Sequence, residues 1–163
     1  MMKRFLKYAS DITVYGFAVL TVLLIVLSVI GVKPYITISG SMEPTILTGS
    51  VCFVNTKTHY DDIQINDIIA FRAGGNTLVT HRVIGIDEDG VTTKGDNNED
   101  ADSLNTTKDN YVGETLFSIP YIGYAVMLLK KPVGLVLIIA ILSLLVLWNV
   151  KDSWKPKEKT TQN

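Results

Sequence analysis

A short turn, Ser39-Gly40-Ser41-Met42-Glu43-Pro44, carries two hydroxyl groups a few residues beyond a long apolar segment. Ser41 is a candidate nucleophile, with the hydroxyl of Ser39 two residues before it. Because a serine hydroxyl is a weak nucleophile at its ordinary pKa, catalysis would require a base elsewhere in the chain. His81 lies in a strand-like run and is the candidate base, whereas the second histidine, His59, lies in a polar loop. The combination predicts a serine hydrolase attached to a membrane.

Each of these residues also has a plainer interpretation. A Ser-Gly-Ser turn by itself is usually only a turn, because these residues favour tight bends. His81 alternates with Val79 and Val83, a pattern that also fits a half-buried, hydrogen-bonded strand histidine. The catalytic interpretation is favoured because the turn follows an apolar span directly and is itself followed by Met-x-Pro and a strand-like run.

Two charge-free segments are long enough to cross a bilayer. Ile12–Val32 holds 21 residues and Pro132–Val150 holds 19, in a chain of 163 residues that is 47% apolar. A hydrocarbon core of about 30 Å requires roughly 20 apolar residues in a helix. No small-x-small cleavage motif precedes Lys33, so the first segment is not predicted to be a removable leader. We expect two permanent transmembrane helices, at residues 12–32 and 132–150.

Basic residues flank both spans on their outer sides, toward the chain ends. They are Lys3, Arg4 and Lys7 before the first span, and Lys151, Lys155, Lys157 and Lys159 after the second. Positive short tails favour the cytoplasm, which predicts cytoplasmic tails at 1–11 and 151–163 and an extracytoplasmic domain at 33–131. The predicted location is the plasma membrane, as a multi-pass protein, or the endoplasmic reticulum membrane in a eukaryote.

The segment between the spans is acidic. Pro34–Leu129 contains 13 Asp and Glu against 5 Lys and Arg, a net charge of −8. An acidic domain argues against nucleic acid as a partner. The single cysteine, Cys52, rules out an internal disulfide and is expected to be a buried strand residue.

This outer domain is predicted to be mainly β. Short runs rich in β-branched and aromatic residues recur between turn signals. The predicted strands are Tyr35–Ile38, Val51–Asn55, Asp67–Arg72, Thr77–Ile86 and Val91–Lys94. Turn clusters at 73–76 and 87–90 separate the later strands.

The second turn suggests a partner for His81. If Asp87–Gly90 is a four-residue hairpin loop, Ile86 faces Val91, and an unbroken register then sets His81 opposite Asp96. Directly opposed side chains on neighbouring strands are about 5 Å apart. A carboxylate there would orient the imidazole and stabilise its charged form. A single bulge would shift the pairing by one residue.

The acidic run at 96–102 also invites a calcium interpretation. An EF-hand loop beginning at Asp96 requires Gly at its sixth position and Glu at its twelfth. This chain has Ala101 and Thr107 there, and no helical pattern flanks the run. We therefore expect neither a metal nor another cofactor.

Three segments together resemble the sequence boxes of type I signal peptidases. They are Ser39–Pro44, Thr80-His81-Arg82-Val83-Ile84-Gly85, and Thr93-Lys94-Gly95-Asp96-Asn97-Asn98 with its continuation to Asp102. The general bacterial branch carries a lysine base where this chain has His81, and no lysine lies within 78–85. The resemblance is therefore to the endoplasmic-reticulum-type branch, which archaea, eukaryotes and some Gram-positive bacteria share. Ile119–Gly123 is also similar to the closing segment of that family.

The resemblance implies a β-rich signal-peptidase-like catalytic domain on membrane helices. It implies a serine endopeptidase that removes signal peptides from secreted preproteins after small residues. Ser41 would be the nucleophile, His81 the base, and the Ser41 N–H and Ser39 hydroxyl the oxyanion donors. Asp102 would orient His81, with Asp96 in support, whereas the hairpin register favours Asp96 as the direct partner. The expected substrate-binding residues are Tyr35, Ile36, Thr37, Ile38, Val79 and Thr80.

The expected partners are preprotein signal peptides and the lipid bilayer, with the secretion translocon or accessory subunits as further candidates. An alternative function belongs to a different class: a catalytically silent membrane protein that binds signal peptides or assists an active peptidase. The joint presence of Ser41, His81 and both acidic residues favours the enzyme.

Overall fold

The computed structural model describes residues 2–132 and, beyond them, 134, 136, 139–140 and 143–144. Its elements are α1 (Met2–Val29), β1 (Val32–Ile36), β2 (Val51–Asn55), β3 (Ile68–Ala73), β4 (Thr77–Asp87), β5 (Gly90–Lys94), β6 (Tyr111–Ile119) and α2 (Ile122–Lys130). The predicted mainly β class is confirmed. Most of the predicted second span, 132–150, and all of the predicted tail, 151–163, lie outside the described residues.

Helix α1 is long and apolar enough to cross a membrane over Ile12–Val29. Over Ile12–Val29 its large apolar side chains are exposed, as expected for a helix that lipid would surround, except Leu27, which packs partly against the sheet. The helix differs from the predicted span at both ends, because it begins at Met2 and stops at Val29. Gly31 has a φ of +96°, a conformation that a side chain would strain, and Val32 already begins β1.

Polar groups just after β2 donate hydrogen bonds to carbonyls at the end of α1. The Nζ atom of Lys57 donates to the carbonyl of Val29 at 3.1 Å. The backbone N–H and the hydroxyl of Thr56 both donate to the carbonyl of Gly31, at 2.9 and 2.8 Å. A cation and two donors therefore meet carbonyls that helix termination leaves without intrahelical partners.

The six strands form one antiparallel sheet in the order β1-β2-β6-β3-β4-β5. Successive side chains of a strand point to opposite faces, and β3 contributes to two separate hydrophobic clusters. Ala70 packs with Met42, Ile46, Cys52 and Val54. Ile69 packs with Ile63, Phe71, Val83 and Val91. Cys52 is buried in β2, as predicted.

The first strand lies earlier than predicted. β1 covers Val32–Ile36 instead of Tyr35–Ile38, pairing with β2 from Val32 opposite Asn55 to Ile36 opposite Val51. Two further backbone bonds continue this pairing, from the Thr37 N–H to the carbonyl of Ser50 at 2.9 Å and from the Gly49 N–H to the carbonyl of Thr37 at 2.8 Å. Pro34 is compatible with this position because β1 is an edge strand.

The hairpin of β4 and β5 contains the bulge that would shift its register. Ile86 faces Val91 as predicted, but Asp87 also pairs with Gly90, which leaves a two-residue turn. The register then shifts between Val83 and Gly85, so that Arg82 faces Lys94. The predicted placement of His81 opposite Asp96 is therefore wrong, because β4 has an extra residue at this point.

Candidate active site

Ser41 lies on a turn that the core anchors. Its neighbour Met42 is only 1% exposed and packs into the cluster with Cys52 and Ala70. Inside the turn, the N–H of Glu43 donates to the carbonyl of Gly40 at 3.1 Å, and the N–H of Ile46 donates to Met42 at 2.9 Å. Burial of Met42 thus fixes the turn, while Ser41 is half-buried at the surface.

The carboxylate of Glu43 accepts hydrogen bonds from a residue just beyond the same turn. Its Oε1 accepts the hydroxyl of Thr48 at 2.6 Å and the Thr48 N–H at 3.1 Å. These two hydrogen bonds lower the pKa of Glu43, with the hydroxyl contributing most. Glu43 is therefore a structural residue of the turn.

Ser41, His81 and Asp102 are joined by hydrogen bonds. Nε2 of His81 lies 3.1 Å from Oγ of Ser41, and Nδ1 lies 2.7 Å from Oδ2 of Asp102. Since an ionised carboxylate only accepts, Nδ1 carries the proton and Nε2 is free to accept the hydroxyl proton of Ser41. This tautomer is the one that a general base requires.

Strand β4 holds the imidazole in a restricted position. His81 is 6% exposed, and the ring of Phe71 on β3 contacts it edge-on at a centroid distance of 6.1 Å. β3 and β4 pair throughout this region, with His81 opposite Ile69. The ring is therefore packed by the sheet and aimed by its two hydrogen bonds.

Asp96 has a different partner from the one that the hairpin register predicted. Its two oxygens accept Nε and an Nη of Arg82, each at 2.7 Å, in a two-pronged ion pair. Arg82 also donates to the carbonyl of Asn66 at 2.9 Å. The Arg82 hydrogen bonds hold the pKa of Asp96 below its usual range, and the hydroxyl of Thr45 contributes in the same direction. Asp96 conversely raises the pKa of Arg82.

The turn that carries Asp96 also contacts the turn that carries Ser41. The N–H of Asn97 donates to the carbonyl of Ser41 at 2.8 Å, and the Asn97 side chain donates to Gly40 at 3.3 Å. A Cβ at Gly95 would lie 2.6 Å from the Ser41 carbonyl, so only glycine permits this approach. Sequence reasoning missed Asn97, although it follows Gly95-Asp96 directly in the resembling segment.

A groove of about 240 Å³ runs beside the reacting groups. It is lined by Tyr35, Ile36, Thr37, Ile38, Ser39, Ser41, Leu78, Val79 and Thr80. All six residues expected to bind substrate are in this set, and Leu78 is an addition that the sequence analysis did not include. Ser39 lies at the Ser41 end, with 3.3 Å between the two Oγ atoms. The lining carries no charged side chain, which suits a short apolar segment.

Thr93 of β5 is a second residue that sequence reasoning missed. Its hydroxyl donates to Oδ2 of Asp102 at 2.5 Å, the oxygen that also faces His81. A threonine is common in a strand, so the sequence signal for it was its place at the start of the resembling segment at 93–98. Among the residues that the structure describes, no three His, Cys, Asp or Glu side chains are placed to hold a metal ion.

The hydroxyl, imidazole and carboxylate have the arrangement used by serine hydrolases with a histidine base. His81 lies on an antiparallel sheet that follows an apolar N-terminal helix directly, and Ser41 and Asp102 lie on connections between its strands. Residues 10–104, more than half of the chain, match the family described as signal peptidase, peptidase S26. The chain belongs to this signal peptidase family.

Individual relatives come from bacteria and fungi. Signal peptidase I W of Bacillus subtilis is 41% identical over 88 residues, covering 51% of this chain and 46% of the relative. The signal peptidase complex catalytic subunit SEC11 of Colletotrichum graminicola is 28% identical over 120 residues, covering 64% of this chain and 70% of the relative. That of Leptosphaeria maculans is 32% identical over 110 residues, covering 59% and 62%. The chain thus spans about half of the Bacillus relative and about two thirds of the fungal ones.

Proposed function

We propose that this chain is a membrane-bound serine endopeptidase that removes N-terminal signal peptides from secreted preproteins, cutting after small residues. The single observation that carries the proposal is the hydrogen-bonded line from Ser41 through His81 to Asp102. Membership of the signal peptidase family supports the substrate class.

In the proposed reaction, Oγ of Ser41 attacks the carbonyl carbon of the scissile peptide bond while Nε2 of His81 takes its proton. The same proton then passes to the leaving amine as the carbon–nitrogen bond breaks, which leaves an acyl ester on Ser41. Water attacks the ester with His81 again as base, releasing the signal peptide and restoring the serine. Asp102 holds the tautomer and stabilises the transient imidazolium.

The negative charge that develops on the scissile carbonyl oxygen needs donors beside Ser41. We assign this role to the backbone N–H of Ser41 and to the hydroxyl of Ser39, whose Oγ lies 3.3 Å from the nucleophile. Donors aimed at the developing charge contribute more to the transition state than to bound substrate.

The groove supports binding of an extended segment. Tyr35, Ile36, Thr37 and Ile38 form one side, and Val79 and Thr80 belong to the other. β1 is an edge strand of the described sheet, so one side of its backbone has no neighbouring strand there. A substrate backbone can bond such an edge and present alternate side chains to the groove. The groove is narrow in volume, about 240 Å³, and its lining is uncharged, which favours small apolar residues.

The proposed topology places the site outside the membrane. α1 would cross the bilayer and leave β1 and Ser41 close to its outer surface, where the end of a signal helix emerges. Residues 132–150 are proposed as a second span, with both termini cytoplasmic, in the plasma membrane or, in a eukaryote, the endoplasmic reticulum. The relatives include a bacterial signal peptidase and catalytic subunits of a signal peptidase complex. The secretion translocon and accessory subunits are therefore proposed partners.

The test is cleavage of a purified preprotein by the full chain in detergent, with the new N-terminus sequenced. Ser41→Ala should abolish cleavage, because it removes the attacking oxygen without altering the buried Met42 anchor. Ser103→Ala removes the same single atom from an exposed loop serine and should cleave at the wild-type rate. Cleavage by Ser41→Ala would exclude the assigned nucleophile. An inactive wild type that still binds the preprotein would favour the silent binding protein.

A further inference from the structure

Thr93 makes a contact with Asp102 that has no role yet in the reaction described above. It lies on β5, paired with Val83 of β4, and is fully buried. Its hydroxyl donates to Oδ2 of Asp102 at 2.5 Å. The inward-facing neighbour on the same strand, Val91, packs among Ile63, Ile69, Phe71 and Val83. In such a position an apolar side chain of the same size would fill the space equally well.

Asp102 depends on Thr93 for its position. It lies outside the strands, in the connection between β5 and β6, and its side chain is 21% exposed. Its backbone N–H donates to the carbonyl of Thr93 at 2.8 Å. Thr93 therefore holds Asp102 at two points, the main chain through a carbonyl and the side chain through a hydroxyl. Among the residues that the structure describes, the other side chain bonded to the carboxylate is that of His81.

Both side-chain contacts converge on one oxygen. Oδ2 of Asp102 accepts Nδ1 of His81 at 2.7 Å and the hydroxyl of Thr93 at 2.5 Å. A hydroxyl facing an ionised carboxylate can only donate. A short hydrogen bond to one oxygen restricts rotation of the carboxylate. The hydroxyl thus holds Oδ2 pointed at the imidazole.

We propose that Thr93 is a positioning residue, acting through Asp102 to hold the His81 imidazole in the tautomer and orientation that accept the Ser41 proton. This inference rests on the proposed function. It assigns Thr93 no contact with substrate, because the groove is lined by other residues. Loss of its hydroxyl should accordingly slow the chemical step and leave substrate binding unchanged.

The decisive variants are Thr93→Val, which keeps the shape and removes the hydroxyl, and Thr93→Ser, which keeps the hydroxyl. The matched control is Thr92→Val on the same strand, whose hydroxyl donates to Asn105 at 3.1 Å. We expect Thr93→Val to lower kcat by about 10- to 100-fold at constant KM, the range for losing a hydrogen bond to a charged group. Thr93→Ser should recover most of the rate, and Thr92→Val should match wild type.

A double-mutant comparison separates positioning from packing. If Thr93 acts through the carboxylate, Thr93→Val should cost little further in an Asp102→Asn background. An equal loss in both backgrounds, a rise in KM with kcat unchanged, or failure of Thr93→Ser to recover the rate would overturn the proposal. A Thr93→Val enzyme as fast as wild type would overturn it as well.

The imidazole proton gives a readout that does not depend on cleavage. In proton NMR of the detergent-solubilised chain, the Nδ1–H of His81 should give a strongly downfield signal that His81→Gln removes. Thr93→Val should move or broaden this signal, whereas Thr93→Ser and Thr92→Val should leave it in place. An unmoved signal in Thr93→Val would refute the positioning role. If the wild type cleaves no preprotein, the proposed function fails, and this signal alone still decides whether Thr93 orients the imidazole.

Discussion

Two neighbouring residues of β4, His81 and Arg82, each bond one carboxylate from the segment after β5. His81 meets Asp102 through a single oxygen, and Arg82 meets Asp96 through both. An imidazole can accept a proton and return it during a reaction, whereas a guanidinium stays charged. Both contacts pair a side-chain nitrogen on β4 with a loop carboxylate. The His81–Asp102 contact is suited to proton transfer, whereas the Arg82–Asp96 contact is suited to stabilising the structure.

The second contact stabilises the surroundings of the first. The Arg82–Asp96 ion pair stabilises the turn that carries Asp96. The next residue in that turn, Asn97, donates a hydrogen bond to the carbonyl of Ser41. Asp102 lies six residues further along the same segment. It completes the hydrogen-bonded series from Ser41 through His81. One connection thus carries both acidic residues, and we expect changes to Asp102 to affect the rate most and changes to Asp96 to affect stability most.

The largest effect should come from Asp102→Asn. The amide cannot stabilise an imidazolium and favours the wrong tautomer, so kcat for preprotein cleavage should fall by about 10³- to 10⁴-fold. Asp100→Asn is the matched control, since Asp100 is exposed in the same segment, and it should keep the wild-type rate. Equal and small losses in the Asp102 and Asp96 variants would remove the distinction between the two contacts.

Ser39→Ala should have the next largest effect. It removes one of the two proposed oxyanion donors while the Ser41 N–H remains, and one such donor is worth about 10²- to 10³-fold in kcat. Steady-state kinetics on a preprotein peptide should show the loss in kcat with residual activity well above Ser41→Ala. A complete loss of activity with the fold intact would mean that Ser39 does more than donate to the oxyanion.

The sequence alone was sufficient to name most of the residues that meet at the site. Ser41, His81 and Asp102 are of types that form such a line, and the resemblance supplied the acidic residue that the register did not. What the sequence could not supply was the bulge between Val83 and Gly85. No residue type there demands an extra position, and a shift of one residue is enough to change which carboxylate reaches which partner.

β6, which lies in the middle of the sheet between β2 and β3, has no counterpart among the strands predicted from the sequence. Gly113 and Glu114 interrupt its apolar pattern, and both are unusual in a central strand. Gly113 is required because its backbone lies against the carbonyl of Asn55, a long-range contact with no local trace. Such contacts depend on the complete fold, so they are the part of the structure that local patterns do not predict.

Asp96→Asn should affect activity less and stability more. Losing the charge of a partly buried, two-pronged pair should lower the free energy of unfolding by about 1–2 kcal/mol, between the values typical of surface and buried pairs. The cleavage rate should fall by no more than about tenfold, because Asp102 still reaches His81. Thermal unfolding in detergent and cleavage kinetics would measure the two effects.

The pH dependence of unfolding sharpens the same comparison. The pKa of Asp96 is lowered in the folded protein, chiefly by its hydrogen bonds from Arg82, whereas an unfolded aspartate titrates near about 3.9. The contribution of the pair to stability is therefore fully present above the unfolded value and is lost as the pH falls toward the lower folded pKa. The stability difference between wild type and Asp96→Asn should be constant from about pH 7 to 5 and shrink below about pH 4. Asp100→Asn, which removes an exposed carboxylate from the same segment, should leave the wild-type dependence unchanged. A stability difference that persists undiminished in acid would mean that Asp96 acts through the shape of its turn and not through its charge.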